Sequence, residues 1–465
     1  MWVRIAWGAA IHEATLHLQQ NGKIVWTLAG LLMLTALLWP ALWNGFPIVF
    51  YDTGGYLARP FEMTLAMGRS ALYGAFLALG IKEHFWPNII VQAAIVAWLI
   101  ALTLRLQGFG GRPWLATALV IGLCALTGLS WYASQLTPDI LVSVFVLALA
   151  MLAFHAQDLR RPETIILIVA IAVAIASHMS ILALALGLTA LLAVLGMFAT
   201  RINLPQPAVA LPAVAVATGV LLAPLSNFII TKQLAFTPGG FNFVFGGLLQ
   251  DGIVERYLAD RCPNPTIRLC SYRAEVPRTA DVWLWAEESP IYKLGGFEQF
   301  ETEARRIVIE SVMRYPAMSV RAAFIATIKQ FADIATGDGL TPWSWHTQWT
   351  FERFAAGALK PYLASRQARM TLDFSWANLI HIPVQALAIA ALPVIVLLGR
   401  GRDIAAIAAL VFVALIGNAV ICGVLSNPHD RYQSRLAWLA PLIVAVAALS
   451  WHRHSSSEAV SAGPA

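Results

Sequence analysis

A small set of ionisable side chains stands in short polar stretches of the sequence, each beside a long apolar segment. The stretches are FYDTGGY at 50–56, TPD at 137–139, SHMS at 177–180 and NPHDRYQSR at 427–435. Ionisable groups beside such segments are costly to bury, so they frequently mark a functional site. The candidate site residues are Asp52, Asp139, His178, His429, Arg431, Tyr432 and Arg435.

These residue types suit one kind of chemistry. A carboxylate such as Asp52 can accept the proton of an attacking hydroxyl or amine. The planar guanidinium groups of Arg431 and Arg435 can hold a phosphate through paired hydrogen bonds. A proton acceptor beside a cationic clamp is what transfer from a phosphate-linked donor requires. The sequence contains no Gly-x-x-x-x-Gly-Lys loop, no Gly-x-Ser-x-Gly elbow and no His-Glu-x-x-His motif.

Each candidate also has a purely structural interpretation. Asp52 could cap a turn made by the two glycines that follow it, because Asp bonds its own downstream backbone. Asp139 suits the start of a helix after a proline, and His178 could be an ordinary turn residue. Arg431 and Arg435 could lie at a membrane interface. The functional interpretation is favoured because all of these residues fall on one side of the membrane in the predicted topology.

Composition determines the class of protein. The 465 residues are 59% hydrophobic and 12% charged, with a mean hydropathy of +0.69. Soluble domains carry about 25% charged residues. We therefore expect an all-α polytopic membrane protein that lies in the lipid bilayer. The formal charge of +6 comes from basic residues scattered between apolar segments, which disfavours nucleic acid as a partner.

We predict ten membrane spans with both termini in the cytoplasm. The apolar stretch 164–200 would be about 55 Å long as one helix, so we divide it at SHMS. The short cytoplasmic connectors then hold arginine, whereas the short outer connectors at 132–138 and around 178–180 hold no Lys or Arg, as orientation by positive charge requires. The spans are 24–44, 87–104, 114–131, 139–156, 164–178, 181–199, 208–230, 376–398, 404–425 and 435–450. The connector arginines are Arg105, Arg112, Arg160, Arg161, Arg201, Arg400 and Arg402.

Four regions follow from these spans. Residues 1–230 form an N-terminal membrane domain, and its first outer loop (45–87) holds Asp52 and an interfacial helix within 63–80. Residues 231–375 form an extracytoplasmic domain between the seventh and eighth spans. In that domain we expect a disulfide between Cys262 and Cys270 and an interfacial helix over 317–334. The remaining regions are the C-terminal membrane helices 376–451 and a disordered cytoplasmic tail, 452–465.

The motifs resemble the GT-C class of integral-membrane glycosyltransferases, particularly its protein-mannosyl and aminoarabinose-transferase branch. Besides the Asp52 loop and TPD, the likeness includes GRSALYGAFLAL at 68–79 and DRYQSRLAWLAP at 430–441. The resemblance implies that Asp52 is the catalytic carboxylate that activates the acceptor. It further implies that Asp139 is a second acidic residue lining the cavity, and that Arg431 contacts the donor phosphate.

By that resemblance, the chain would move a sugar from a polyprenyl-phosphate-linked donor to a glycan, lipid or protein acceptor, at the outer face of a bacterial inner membrane. Thr53 stands where many relatives have a second acidic residue, and His178 where relatives often have Lys. The sugar and the acceptor therefore stay open, and a divalent metal ion is compatible with the site but not required. The alternatives are a transporter or flippase, and a non-enzymatic protein of envelope assembly.

The topology predicts that residues 231–375 lie outside the cytoplasm. A reporter that is active only in the cytoplasm should therefore be silent when it is fused near Asp281. A fusion at Arg201, in a predicted cytoplasmic connector, serves as the positive control. Strong activity of the Asp281 fusion would contradict the span count, and it would place the candidate site residues on opposite sides of the membrane.

Overall fold

The computed structural model describes residues 2–199, 201, 205–340, 344–399 and 403–461, with side chains from 22 to 453 apart from 344–346. Every regular element in these ranges is a helix, and seven helices are long and apolar enough to cross a membrane. The predicted class, an all-α integral membrane protein, is confirmed. The seven are Gly22–Asn44, Trp86–Phe109, Met179–Phe198, Ala210–Thr231, Ser375–Leu398, Asp403–Leu425 and Asp430–Arg453.

Three further predicted spans correspond to shorter helices. Pro113–Leu126, Ile140–Phe154 and Arg161–Ser177 fall short of the roughly 20 residues that a crossing usually needs. Ile140–Phe154 is buried along almost its whole length, so protein rather than lipid surrounds it. The ten-span count and the orientation stay predictions, and two of the arginines that support the orientation, Arg400 and Arg402, lie outside the described residues.

The chain reverses direction at His178. This residue stands alone, in extended conformation, between helices Arg161–Ser177 and Met179–Phe198. The first helix begins a few residues after Phe154, and the end of the second lines a small apolar cavity together with Phe154. Because both far ends lie near Phe154, His178 is at the opposite end of the bundle. We call this the site end.

The first outer loop is largely helical, in Tyr51–Glu62, Ala71–Leu79 and the single turn Ile81–Glu83. The predicted turn at the two glycines after Asp52 is wrong, because both lie inside helix Tyr51–Glu62. Thr53 Oγ1 accepts the backbone N–H of Phe50 at 2.9 Å and so supports the start of this helix.

Glycine has a packing role in this loop. A Cβ at Gly55 would lie 3.3 Å from Nε of Arg69, and a Cβ at Gly74 would overlap the carbonyl oxygen of Tyr56. Helix Ala71–Leu79, which lies inside the predicted interfacial segment, thus crosses close over helix Tyr51–Glu62. The missing Cβ of Gly74 allows the two helices to approach each other, and the missing Cβ of Gly55 allows Arg69 to reach across the first turn of helix Tyr51–Glu62.

The predicted domain 231–375 divides into two parts. Residues 240–315, here called the small domain, have their own core around Phe245, Trp283 and Phe300, with ring centroids 4.9–5.4 Å apart. Met67 of the first outer loop is inserted in the same core. The disulfide between Cys262 and Cys270 is present. Residues in 334–340 and 347–374 instead join the core of the membrane helices, and Phe351 contacts Phe46 and Phe85, which flank two of those helices.

The expected interfacial helix of this region is formed by Pro316–Ala332. It packs on Asp403–Leu425, where a Cβ at Gly423 would lie 2.7 Å from the carbonyl oxygen of Ala326. On its other side it exposes apolar residues with helical spacing. A position at the membrane surface suits this face and stays a prediction. The exposed residues are Val320, Phe324, Ile325 and Ile328.

The end of the chain differs from the prediction. Helix Leu439–Ser461 continues through most of the tail that was expected to be disordered. Adding residues to an existing helix costs far less than starting one, so the helix extends beyond its apolar part. Residues 462–465 lie outside the described residues.

Candidate functional site

Asp52 lies at the centre of the site, in the first turn of helix Tyr51–Glu62. Its Oδ1 is 2.5 Å from Nη2 of Arg69, and its Oδ2 is 3.5 Å from Nη1 of Arg431. These three side chains are each about 15% exposed, so the group is reachable from outside the protein. One carboxylate is therefore shared by two guanidinium groups. We call these three residues the Asp52 triad.

The structure brings together Asp52 of the FYDTGGY stretch and Arg431 of the NPHDRYQSR stretch, which were both candidate site residues. Arg69 was missed as a site residue, although it stands in the GRSALYGAFLAL segment that supports the family resemblance. A single arginine in a loop has no local pattern that distinguishes it from a surface residue. The available signal was the position of Arg69 in that motif.

Aromatic rings hold the guanidinium of Arg431. Its Cζ lies 4.2 Å from the centroid of the Phe50 ring and 4.7 Å from that of Tyr432. Its Nη2 also donates to the Tyr432 hydroxyl at 3.2 Å. The backbone N–H of Arg431 donates to Oδ2 of Asp338 at 3.2 Å. Cation–π contacts are strongest where water is partly excluded, so the rings fix this side chain beside Asp52.

Asp139 and Arg435 form a buried ion pair behind the triad. Arg435 Nη1 lies 2.5 Å from Oδ1 of Asp139, and their side chains are 0% and 4% exposed. Nη2 of Arg435 donates to the Ser180 hydroxyl at 3.0 Å. The position of Arg435 at a membrane interface, considered above as an alternative, does not fit this burial. A charge inside the bundle must be paired, and Asp139 provides the counter-charge.

His178 lies beside this pair. Its Nε2 is 3.4 Å from Nη1 of Arg435, and its Nδ1 accepts the backbone N–H of Ser180 at 3.2 Å. His178 thus both begins the following helix and contacts the buried pair. The Tyr432 ring lies near both arginines, with Cζ of Arg435 at 5.3 Å, and so links the triad to the pair.

His429 joins three separate parts of the chain. Its Nε2 lies 3.4 Å from Oδ1 of Asp281 in the small domain, and its Nδ1 lies 3.6 Å from Oδ2 of Asp338. Burial alone would lower the pKa of His429, but the interactions with the two carboxylates outweigh this and raise the pKa to about 10. We therefore assign His429 a positioning role. Sequence reasoning missed Asp281 and Asp338 because nothing in either neighbourhood indicates this contact.

A bound metal ion would need several His, Cys, Asp or Glu side chains close together. No group of three or more His, Cys, Asp and Glu side chains there is arranged to hold a metal ion. The candidate site itself combines single carboxylates with arginines, which are not metal ligands.

The buried pair predicts a large effect of Asp139→Asn on stability. The amide would leave Arg435 buried without its counter-charge, which costs roughly 3–5 kcal/mol. We expect a clearly lower Tm of the purified protein, whereas Asp52→Asn, whose partners Arg69 and Arg431 are partly exposed, should lower the Tm less. Removing both charges in Asp139→Asn/Arg435→Met should restore most of the loss. An unchanged Tm of Asp139→Asn would show that the pair does not stabilise the fold.

The His429 contacts predict a pH dependence of stability. The pKa of His429 is raised to about 10 in the folded protein, above the usual value of about 6.5. Its stabilising contribution is therefore complete below about pH 6.5 and is lost as the pH rises towards 10. Over this interval the Tm of the wild type should fall more than that of His429→Gln. Parallel curves for the two proteins would contradict the assignment.

The chain was also compared with known proteins. Protein-family models, curated proteins and solved structures each yield no match. The resemblance to the GT-C class therefore rests on the short motifs quoted above. The function has to be inferred from the contacts of the described side chains.

Proposed function

We propose that the chain is a membrane glycosyltransferase that moves a sugar from a polyprenyl-phosphate-linked donor to a cell-envelope acceptor. The sharing of Asp52 by Arg69 and Arg431 carries this proposal. Among the described residues, Asp52 is the only carboxylate that forms an ion pair with Arg69 or Arg431, so the triad itself has one net positive charge. A phosphate group of the donor would compensate this charge through strong, charge-assisted hydrogen bonds.

The two oxygens of Asp52 differ in how tightly they are held. Oδ1 makes a short contact with Arg69, whereas the 3.5 Å distance from Oδ2 to Arg431 is at the long limit of a hydrogen bond. Oδ2 is therefore the oxygen that we assign to the acceptor. Nη1 of Arg431, which makes only this long contact with Asp52, can turn to a phosphate oxygen without breaking a short ion pair.

The proposed reaction is a single displacement. The acceptor hydroxyl oxygen forms a bond to the anomeric carbon of the sugar, and the bond from that carbon to the phosphate oxygen breaks. The phosphate leaves with the electron pair beside Arg431, and the acceptor proton passes to Oδ2 of Asp52. Arg431 stabilises the charge that develops on the leaving group, and Arg69 keeps the carboxylate oriented. Direct displacement inverts the configuration at the anomeric carbon.

The other candidate residues hold the Asp52 triad in position. Asp139 is paired with Arg435 and almost fully buried, so it serves as a positioning residue. His178 and Tyr432 contact the same pair. Under the predicted topology, the site faces the outside of a bacterial inner membrane, where a polyprenyl-linked donor would present its sugar.

A transporter is the second candidate function. The buried pair of Asp139 and Arg435 inside the bundle resembles the intramembrane charges of transporters. Such a protein would move its substrate without breaking a covalent bond. Release of free polyprenyl phosphate together with a glycosylated product would exclude it.

The central prediction concerns Asp52→Asn. The amide keeps the size of the side chain but cannot take the acceptor proton, so turnover should fall about 100-fold or more. The purified protein in lipid nanodiscs is assayed for sugar transfer from polyprenyl-phosphate donors. Glu62→Gln, in the same helix and also paired with arginine, is the matched control and should retain turnover.

The same comparison can be made in cells before the donor is known. Mass spectrometry of surface glycans and glycolipids from a deletion strain should show a missing product, which the wild type restores and Asp52→Asn does not. Arg431→Lys keeps the charge but loses the planar fork, so it should weaken donor use at normal expression. Wild-type turnover of a folded Asp52→Asn protein would contradict the mechanism.

A further inference from the structure

A strip of aromatic rings leads away from the Asp52 triad across the small domain. The guanidinium Cζ of Arg69 lies 5.7 Å from the ring of Trp285, which is 5.8 Å from Phe297. Phe297 is in turn 6.1 Å from Tyr292. Trp285 and Tyr292 are 40% and 44% exposed. We call these three rings the aromatic strip.

The aromatic strip ends at a polar cleft of about 470 Å³, because Tyr292 belongs to both. Amide, hydroxyl and phenol groups line the cleft, among them Asn264, Ser271, Tyr272 and Gln299. Such groups can both donate and accept hydrogen bonds. The strip and the cleft together form one continuous surface that starts at Arg69.

Each of the two cationic side chains that line the cleft is paired with a carboxylate. Lys293 lies 2.5 Å from Glu275, and Arg268 lies 3.0 Å from Glu303. Arg268 also donates to the carbonyl oxygens of Leu294 and Gln299. Neither cation is left to attract an anionic ligand. In contrast to the triad, this surface therefore suits a neutral, polar ligand.

We propose that this surface binds the acceptor, and that the acceptor is a neutral oligosaccharide several sugars long; the proposal rests on the proposed function. The C–H faces of sugar rings pack on aromatic rings, and their hydroxyls pair with the polar groups of the cleft. Trp285 and Tyr292, the two exposed rings, are tilted by 56° and 76° against Phe297, so a sugar chain would contact them as two separate points and not as one flat platform. A chain lying along the strip would bring its end to Asp52.

A peptide acceptor fits this surface less well. The described part of the small domain has no strand whose edge could bind an extended peptide. Its cleft also offers no uncompensated charge for an acidic or basic motif. A lipid acceptor has no reason to leave the bilayer for a cleft lined by amides and hydroxyls. These occupants become outcomes of the test.

Length dependence of binding tests the proposal. The full chain in phosphatidylcholine nanodiscs is titrated with manno- and cello-oligosaccharides from disaccharide to octasaccharide. Affinity should rise with length and then level off once the strip and the cleft are filled. Tyr292→Ala should weaken binding of the longest sugars about three- to tenfold, which is the effect expected from the loss of one aromatic contact. The affinity for the disaccharide should hardly change.

Control variants separate binding from folding. Tyr292→Phe keeps the ring and should bind nearly as well as the wild type. Trp376→Ala removes an equally exposed tryptophan outside the strip and should have no effect, whereas Trp285→Ala should match Tyr292→Ala. Affinity that does not depend on length or on Trp285 and Tyr292 overturns the proposal, as does preferential binding of peptides or of added lipid.

Turnover distinguishes this proposal from the proposed function. If sugar is transferred and Tyr292→Ala raises KM only for long acceptors at unchanged kcat, both stand. If transfer occurs with equal KM for short and long acceptors in both proteins, the oligosaccharide proposal fails and the transferase proposal survives. If length-dependent binding occurs but no donor supports transfer, the surface is a saccharide site and the transferase function fails.

Discussion

The buried ion pair between Asp139 and Arg435 determines where the guanidinium of Arg431 can lie. Inside the bundle the pair has to keep its geometry, because either charge alone would be strongly destabilising. Arg431 and Arg435 belong to helix Asp430–Ala437, four positions apart, and so project from the same face. When Arg435 is bound to Asp139, Arg431 is held one turn away, above Phe50 and within reach of Asp52.

Charge pairing also joins parts of the molecule that are far apart in sequence. The Asp52 triad connects the beginning and the middle of the first outer loop to the segment before the last helix. His429, in that segment, connects to Asp281 of the small domain and to Asp338. At partly buried positions such contacts are screened little by water. The site end is therefore one electrostatic unit, whose parts depend on the same short stretch, 427–435.

Local features of the sequence predicted the class of protein, most helix positions and two members of the triad, since apolar length and short motifs need no tertiary information. The contacts could not be predicted, because Arg69 meets Asp52 only when the helices pack. Local rules failed at Gly54 and Gly55, where a turn was expected. There, tertiary packing determines the backbone conformation. Gly55 is part of helix Tyr51–Glu62, and its missing Cβ makes room for the side chain of Arg69.

Under the proposed function, the distribution of paired and unpaired charge would separate two kinds of ligand on one surface. At the triad, two guanidinium groups share one carboxylate, so this part of the surface favours an anion. Along the aromatic strip and in the cleft, Lys293 and Arg268 have their own carboxylates, so that part favours a neutral molecule. Arg69 belongs to both parts, because it contacts Asp52 and Trp285. Under the proposed function, Arg69 is thus the point at which a phosphate-bearing donor and a neutral acceptor would meet.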